Sequence, residues 1–157
     1  MRPLEKNRGF SVIELVVVIG IITIIMSFGL LASLDSLHGT IFRSERLNVV
    51  SVLERVRARA MSNYMEVSHG VCLDEVAPTS PKYVLFQKTY SAGNPENEHL
   101  EANPTVKITS TSNLFSCNAG GIIFSQLSGK TSNVDITISE NGRTSVISTN
   151  IAGRVDW

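Results

Sequence analysis

Glu14 stands at the head of an apolar run, a position where a carboxylate is costly enough to need a reason. From Leu15 to Leu34 the run is relieved only by Gly20, Thr23, Ser27, Gly29, Ala32 and Ser33. By insertion scales a charge at the centre of a membrane span costs about 2.5–3.5 kcal/mol, and less near the interface. Such a group usually has a partner. The nearest cations in sequence are Lys6 and Arg8. One reading is therefore an interfacial acid that snorkels to water or pairs with one of them.

The other chemistry-bearing residues form no constellation. His38, His69 and His99 are scattered, and no two have metal-ligand spacing. His69 precedes Gly70 in a strand-like stretch and reads as a structural or surface residue. The serines form no nucleophile motif with a base, and there is no Gly-rich phosphate loop. Cys72 and Cys117 lack the Cys-x-x-Cys redox spacing. In an oxidising compartment they could join across the long loop between them, or stay as two buried thiols; the sequence leaves both open. The expectation is a protein that is not an enzyme, with no cofactor, no metal and no small-molecule substrate.

The elements that would position Glu14 begin with the run itself. Twenty helical residues rise about 30 Å, the thickness of a hydrocarbon core. At 157 residues the chain holds one such span and one modest domain. Arg2, Lys6 and Arg8 precede the span against the single acid Glu5, which places the N-terminus in the cytoplasm and the rest outside. A cleaved secretory signal competes, but it needs an apolar region of roughly 7–15 residues and a small-x-small site. This run is longer, and Ala32-Ser33-Leu34 is a poor site.

Helical spacing continues beyond the run. Val49, Val52, Leu53, Val56 and Ala60 fall on one face, with Arg43, Arg46, Glu54, Arg57 and Arg59 largely off it. Glu54 can reach Arg57 at i+3. The pattern predicts one helix from Phe10 to about Tyr64, apolar all round and then amphipathic, with Gly39 its soft point. Strands are expected at 66–73 and 82–87, separated by a loop with Pro78 and Pro81. Residues 91–105 read as a polar loop, and short apolar pieces follow at 105–109 and 121–127. Val134, Ile136 and Ile138 alternate with polar residues. Asn141-Gly142 then tolerates the positive φ of a tight hairpin, and Val146 lies on the return strand. Gly153 marks a closing turn, and Trp157, the only Trp, packs under the sheet or meets a partner. One long helix followed only by strands indicates an α+β fold, the helix covering a small antiparallel sheet.

"RGFSVIEL" resembles the prepilin signature of the type IV pilin and type II secretion pseudopilin superfamily. There a short basic leader ends in Gly, and a dedicated peptidase cuts after it and methylates the new N-terminal Phe. A Glu stands four residues later, followed by an apolar helix. The resemblance implies a cut between Gly9 and Phe10, N-methylation of Phe10 and an assembly role for Glu14. It covers about 25 residues. The Glu14 carboxylate would meet the cationic Phe10 amine of a neighbouring subunit, an attraction made strong by low dielectric. Subunits added head to tail by a rotation that does not close form a helical filament. Many major pilins carry Pro at the position of Leu31, so its absence fits a minor pilin or pseudopilin better.

The stretch from Leu47 to Leu73 and the tail from Gly120 to Val155 resemble the GspH/FimT minor pseudopilin branch. Some members bind DNA through basic residues near the C-terminus, which would carry over to Arg143 and Arg154. Charge argues against it. Residues 61–157 hold six basic and nine acidic residues, Asp156 sits by Arg154, and Glu140 can face Arg143 across the hairpin. DNA affinity needs clustered cations.

The expected organisation is a leader at 1–9, a transmembrane assembly helix at 10–34, its amphipathic continuation at 35–65 and an extracytoplasmic β domain at 66–157. The expected role is a structural minor subunit of a type IV pilus or type II secretion pseudopilus. It would be anchored once in the inner membrane, with prepilin peptidase and other pilin subunits as partners. A DNA-binding minor pilin is the first alternative and an unrelated bitopic membrane protein the second.

Overall fold

The computed structural model describes residues 11–75 and 80–157, with backbone alone for 28–38. Gly9, Phe10 and Pro78, and the side chain of Leu31, thus lie outside the described residues. The chain divides into two units, Met1–Gly39 and Thr40–Trp157.

Helix α1 runs Val12–Met61, close to the predicted bounds. Glu14 lies in its first turn and Arg59 in its last, each at the end where the helix dipole favours its charge. In the first unit the side chains from Val12 to Met26 are exposed on every face of the helix. Two hydroxyls on this part of the helix bond back to its own carbonyls. The Thr23 hydroxyl donates to the Gly20 carbonyl and the Ser27 hydroxyl to that of Thr23, each at 2.8 Å. Among the described residues no helix is long and apolar enough to cross a membrane; the side chains of the run from Phe28 to Leu34 lie outside the description.

Among its described residues the second unit holds α1 from Thr40 onward and eight strands. These are β1 His69–Asp74, β2 Lys82–Gln87, β3 Glu98–Glu101, β4 Lys107–Ser110, β5 Ile122–Phe124, β6 Val134–Glu140, β7 Arg143–Thr149 and β8 Val155–Asp156. They form two four-stranded sheets, ordered β3-β2-β1-β5 and β4-β6-β7-β8, and all strand pairs are antiparallel. The α+β class is as expected, but there are two sheets where one was expected. The polar loop expected at 91–105 contains β3. Its residues alternate between half-buried and exposed at a sheet edge, so hydropathy gives no strand signal there.

The predicted helix face is the core. Val49, Val52, Leu53, Val56 and Ala60 are all buried, against Val71, Leu73, Tyr83 and Leu85 of the first sheet and Ile108, Ile136, Ile138 and Ile147 of the second. β1 and β2 are buried on both faces, which is why their sequences run apolar without alternation. Their other face forms a second cluster of Cys72, Val84, Phe86 and Cys117. The Phe86 ring lies across Gly70, its register partner; a Cβ on Gly70 would overlap the ring. The β6–β7 hairpin closes at Asn141-Gly142 with φ of 46° and 79°, as the pair predicts.

Candidate functional site

The candidate site begins with Glu14, exposed in the first turn of α1 and followed by an exposed apolar cylinder. The backbone N–H groups of Glu14 and Leu15 both donate to the Ser11 carbonyl, which fixes the carboxylate on a helical backbone. A helix apolar all round is ordinarily buried in protein or in lipid. Gly20 has no neighbour within 4 Å of where a Cβ would lie, so the space beside it is open. This arrangement can do no bond chemistry. It can insert into an apolar phase and present one acid to whatever packs beside it.

The amphipathic part of α1 is held to the sheets by two polar devices that the sequence pattern did not single out. The first is Glu45, buried in the apolar stripe one turn before Val49, which accepts the Tyr83 hydroxyl at 2.5 Å. Burial, then the hydrogen bond and charge of Glu45, push the Tyr83 hydroxyl far above the ordinary phenol range. Extending the stripe back by one turn would have put Glu45 on it, and a buried acid asks for a donor. The second is Glu98 on edge strand β3. Arg55 reaches its Oε1 at 2.6 Å and Arg59 its Oε2 at 2.8 Å. Partial burial raises the Glu98 pKa, but the Arg59 hydrogen bond and both guanidinium charges outweigh it and hold the carboxyl below the usual range. Arg55 and Arg59 at i, i+4 announce a cationic helix flank. Nothing local points to Glu98.

The cysteines are joined. Cys72 of β1 and Cys117, in a short 3-10 turn at Cys117–Ala119, form a disulfide with Cα atoms 4.8 Å apart. It links β1 to a connection that also bridges Leu73 and Ser116. His69 is buried, and its Nε2 lies 2.8 Å from the Tyr64 carbonyl, so this nitrogen carries the proton and the residue is structural. Among the described residues no group of His, Cys, Asp or Glu could hold a metal ion.

The two arginines weighed for DNA contact do not form a patch of free cations. Arg154 pairs with Asp156 at 2.7 Å, and Arg143 stands opposite Glu140 in the hairpin register. On the helix, Glu54 pairs with Arg57 at 3.6 Å, the weak i, i+3 contact that their spacing predicted.

Residues 5–30 match the model of the prokaryotic N-terminal methylation motif. No curated protein matches the chain. The fold is similar to that of the type IV minor pilin FimU of Pseudomonas aeruginosa strain PAO1, solved in two crystal forms. One gives a TM-score of 0.56 at 15% identity, covering 73% of this chain and 90% of that one. The other gives 0.54 at 15% identity, covering 73% and 86%.

Proposed function

We propose that this chain, type IV pilin-like in its N-terminal motif and its fold, is a structural minor subunit of a pilus-type filament. The methylation motif over 5–30 covers the start of a helix whose described side chains up to Ser27 are exposed and mostly apolar, with Glu14 at its head. That conjunction is the observation that carries the reading. Such a surface is unstable in water and suited first to lipid and then to the helix bundle of a filament.

In this reading residues 1–9 are a leader removed by prepilin peptidase, and Phe10 becomes an N-methylated terminus. Residues 10–34 anchor the protein once in the inner membrane, residues 35–65 continue the helix, and residues 66–157 stand outside. The disulfide accords with that oxidising side. Glu14 then pairs with the Phe10 amine of a neighbouring subunit and sets the axial register. Neither motif nor fold suggests catalysis, since pilin subunits are structural.

A type IV pilus is favoured over a secretion pseudopilus because the similar solved structures are of a type IV minor pilin. The Arg154–Asp156 pair removes a cation from the DNA-uptake alternative. Intact-mass measurement of the cellular protein tests the reading. A mature form beginning at N-methyl-Phe10, absent when the peptidase is deleted, supports it, and a chain that retains Met1–Gly9 overturns it. Co-purification with other pilins, or with secretion components, assigns the machine.

A further inference from the structure

Arg43, Arg46, Leu47 and Trp157 line a shallow groove of about 340 Å³ in the second unit. Its walls are apolar and cationic together. Trp157 is 60% exposed and Leu47 54% exposed, although both are large apolar side chains. The Arg46 guanidinium lies over the Trp157 ring, 4.8 Å from its centroid, and its Nε is buried without a hydrogen-bond partner.

Charge makes this groove unlike the rest of the helix. Arg55, Arg57 and Arg59 are each paired to a carboxylate. Among the described residues Arg43 and Arg46 have no such partner. The acids beside them in sequence are engaged elsewhere: Glu45 turns into the core to Tyr83, and Asp156 holds Arg154. Among the described residues of the helix, Arg43 and Arg46 are therefore the uncompensated cations.

We propose that this groove docks on the surface of a membrane containing anionic phospholipid. The two arginines would take the phosphate oxygens, and Trp157 and Leu47 would enter the region between headgroups and acyl chains. A small soluble anion would require the cations but not the exposed Trp and Leu. A lipid surface uses all four, since Trp favours the interface and Arg binds anionic headgroups. Arg43 and Arg46 also lie in the first turns of the unit that opens at Thr40, its part nearest in sequence to the apolar run. The proposal rests on the membrane-anchored reading above. It adds a second contact with the bilayer, one that extraction into a filament would have to break.

Trp157 is the only Trp, so its fluorescence reports on this groove alone. The full chain is reconstituted into nanodiscs of phosphatidylcholine, with and without phosphatidylglycerol. With phosphatidylglycerol, Trp157 emission should shift to shorter wavelength and be quenched by brominated acyl chains, and both effects should weaken in high salt. At about 1 kcal/mol per basic residue near an anionic surface, R43Q/R46Q should weaken this preference roughly thirtyfold. R43K/R46K should retain most of it. A disc-inserted chain whose Trp157 emission stays water-like in both lipids overturns the proposal. So does a blue shift that ignores lipid charge and follows the number of chains per disc, which would mark a protein partner. A chain that does not enter the discs at all overturns the anchored reading, and with it this one.

Discussion

The Tyr83 hydroxyl donates to the Glu45 carboxylate across the buried face between α1 and β2. Glu45 lies one turn before Val49, where the buried stripe of α1 is otherwise apolar. A buried carboxylate without its donor bears its full desolvation cost, so Tyr83→Phe should lower unfolding free energy by about 1–3 kcal/mol. Adding Glu45→Leu should recover most of the loss, because both polar groups then leave together. Urea unfolding of the two variants checks this.

The same pair predicts an alkaline limit. The Tyr83 hydroxyl has its pKa raised in the fold, so its contribution is complete below the unfolded phenol value of about 10. It is lost progressively as pH rises above that value. Wild-type stability should fall beyond that point, and Tyr83→Phe should show less of the fall. Thermal unfolding between pH 8 and 11, in about half-unit steps, measures it.

Glu98 predicts the opposite limb. Its carboxyl is held low by Arg59 and Arg55, so its contribution is present above the unfolded value of about 4.3 and is lost as pH falls through the folded one. The pair is partly exposed and solvent-screened, so Glu98→Gln should cost no more than about 1 kcal/mol at neutral pH. The variant and the parent should converge in acid. Hydrogen exchange of β3 should rise in Glu98→Gln more than exchange of β1, since the clamp holds an edge strand.

The disulfide closes a loop of 45 residues in sequence separation. Chain entropy for such a loop makes Cys72→Ser/Cys117→Ser less stable by about 3–4 kcal/mol. The cluster with Val84 and Phe86 should loosen first, read as early exchange of β1 and β2 amides. Gly70→Ala tests the neighbouring contact. Its new methyl group meets the Phe86 ring and should cost about 1–3 kcal/mol, partly relieved by Phe86→Leu.

On the proposed reading, Glu14→Leu should leave membrane insertion and cleavage intact and reduce incorporation into filaments, read by shearing and immunoblotting. Normal incorporation would remove the proposed register role.

Local pattern and tertiary contact divide what could be foreseen. The stripe from Val49 to Ala60 repeats at the helical period, and a period is a property of neighbours in the chain. The Asn141-Gly142 hairpin was legible for the same reason, because two residues set their own φ. β3 was missed because an edge strand with one half-buried face need not be apolar. The methylation motif was readable because it is a short linear segment, residues 5–30.

By itself, then, the sequence determined the long helix, the amphipathic stripe of its later turns, the α+β class and the N-terminal methylation motif. Each of these is encoded in composition or spacing over a few turns. The tertiary structure alone decided that Cys72 meets Cys117, that Glu45 finds Tyr83, that Arg55 and Arg59 share Glu98, and that Arg46 lies over Trp157. The partners in these contacts are far apart in sequence, and no local rule relates them. Their meeting is set by how the helix face and the two sheets close on one core.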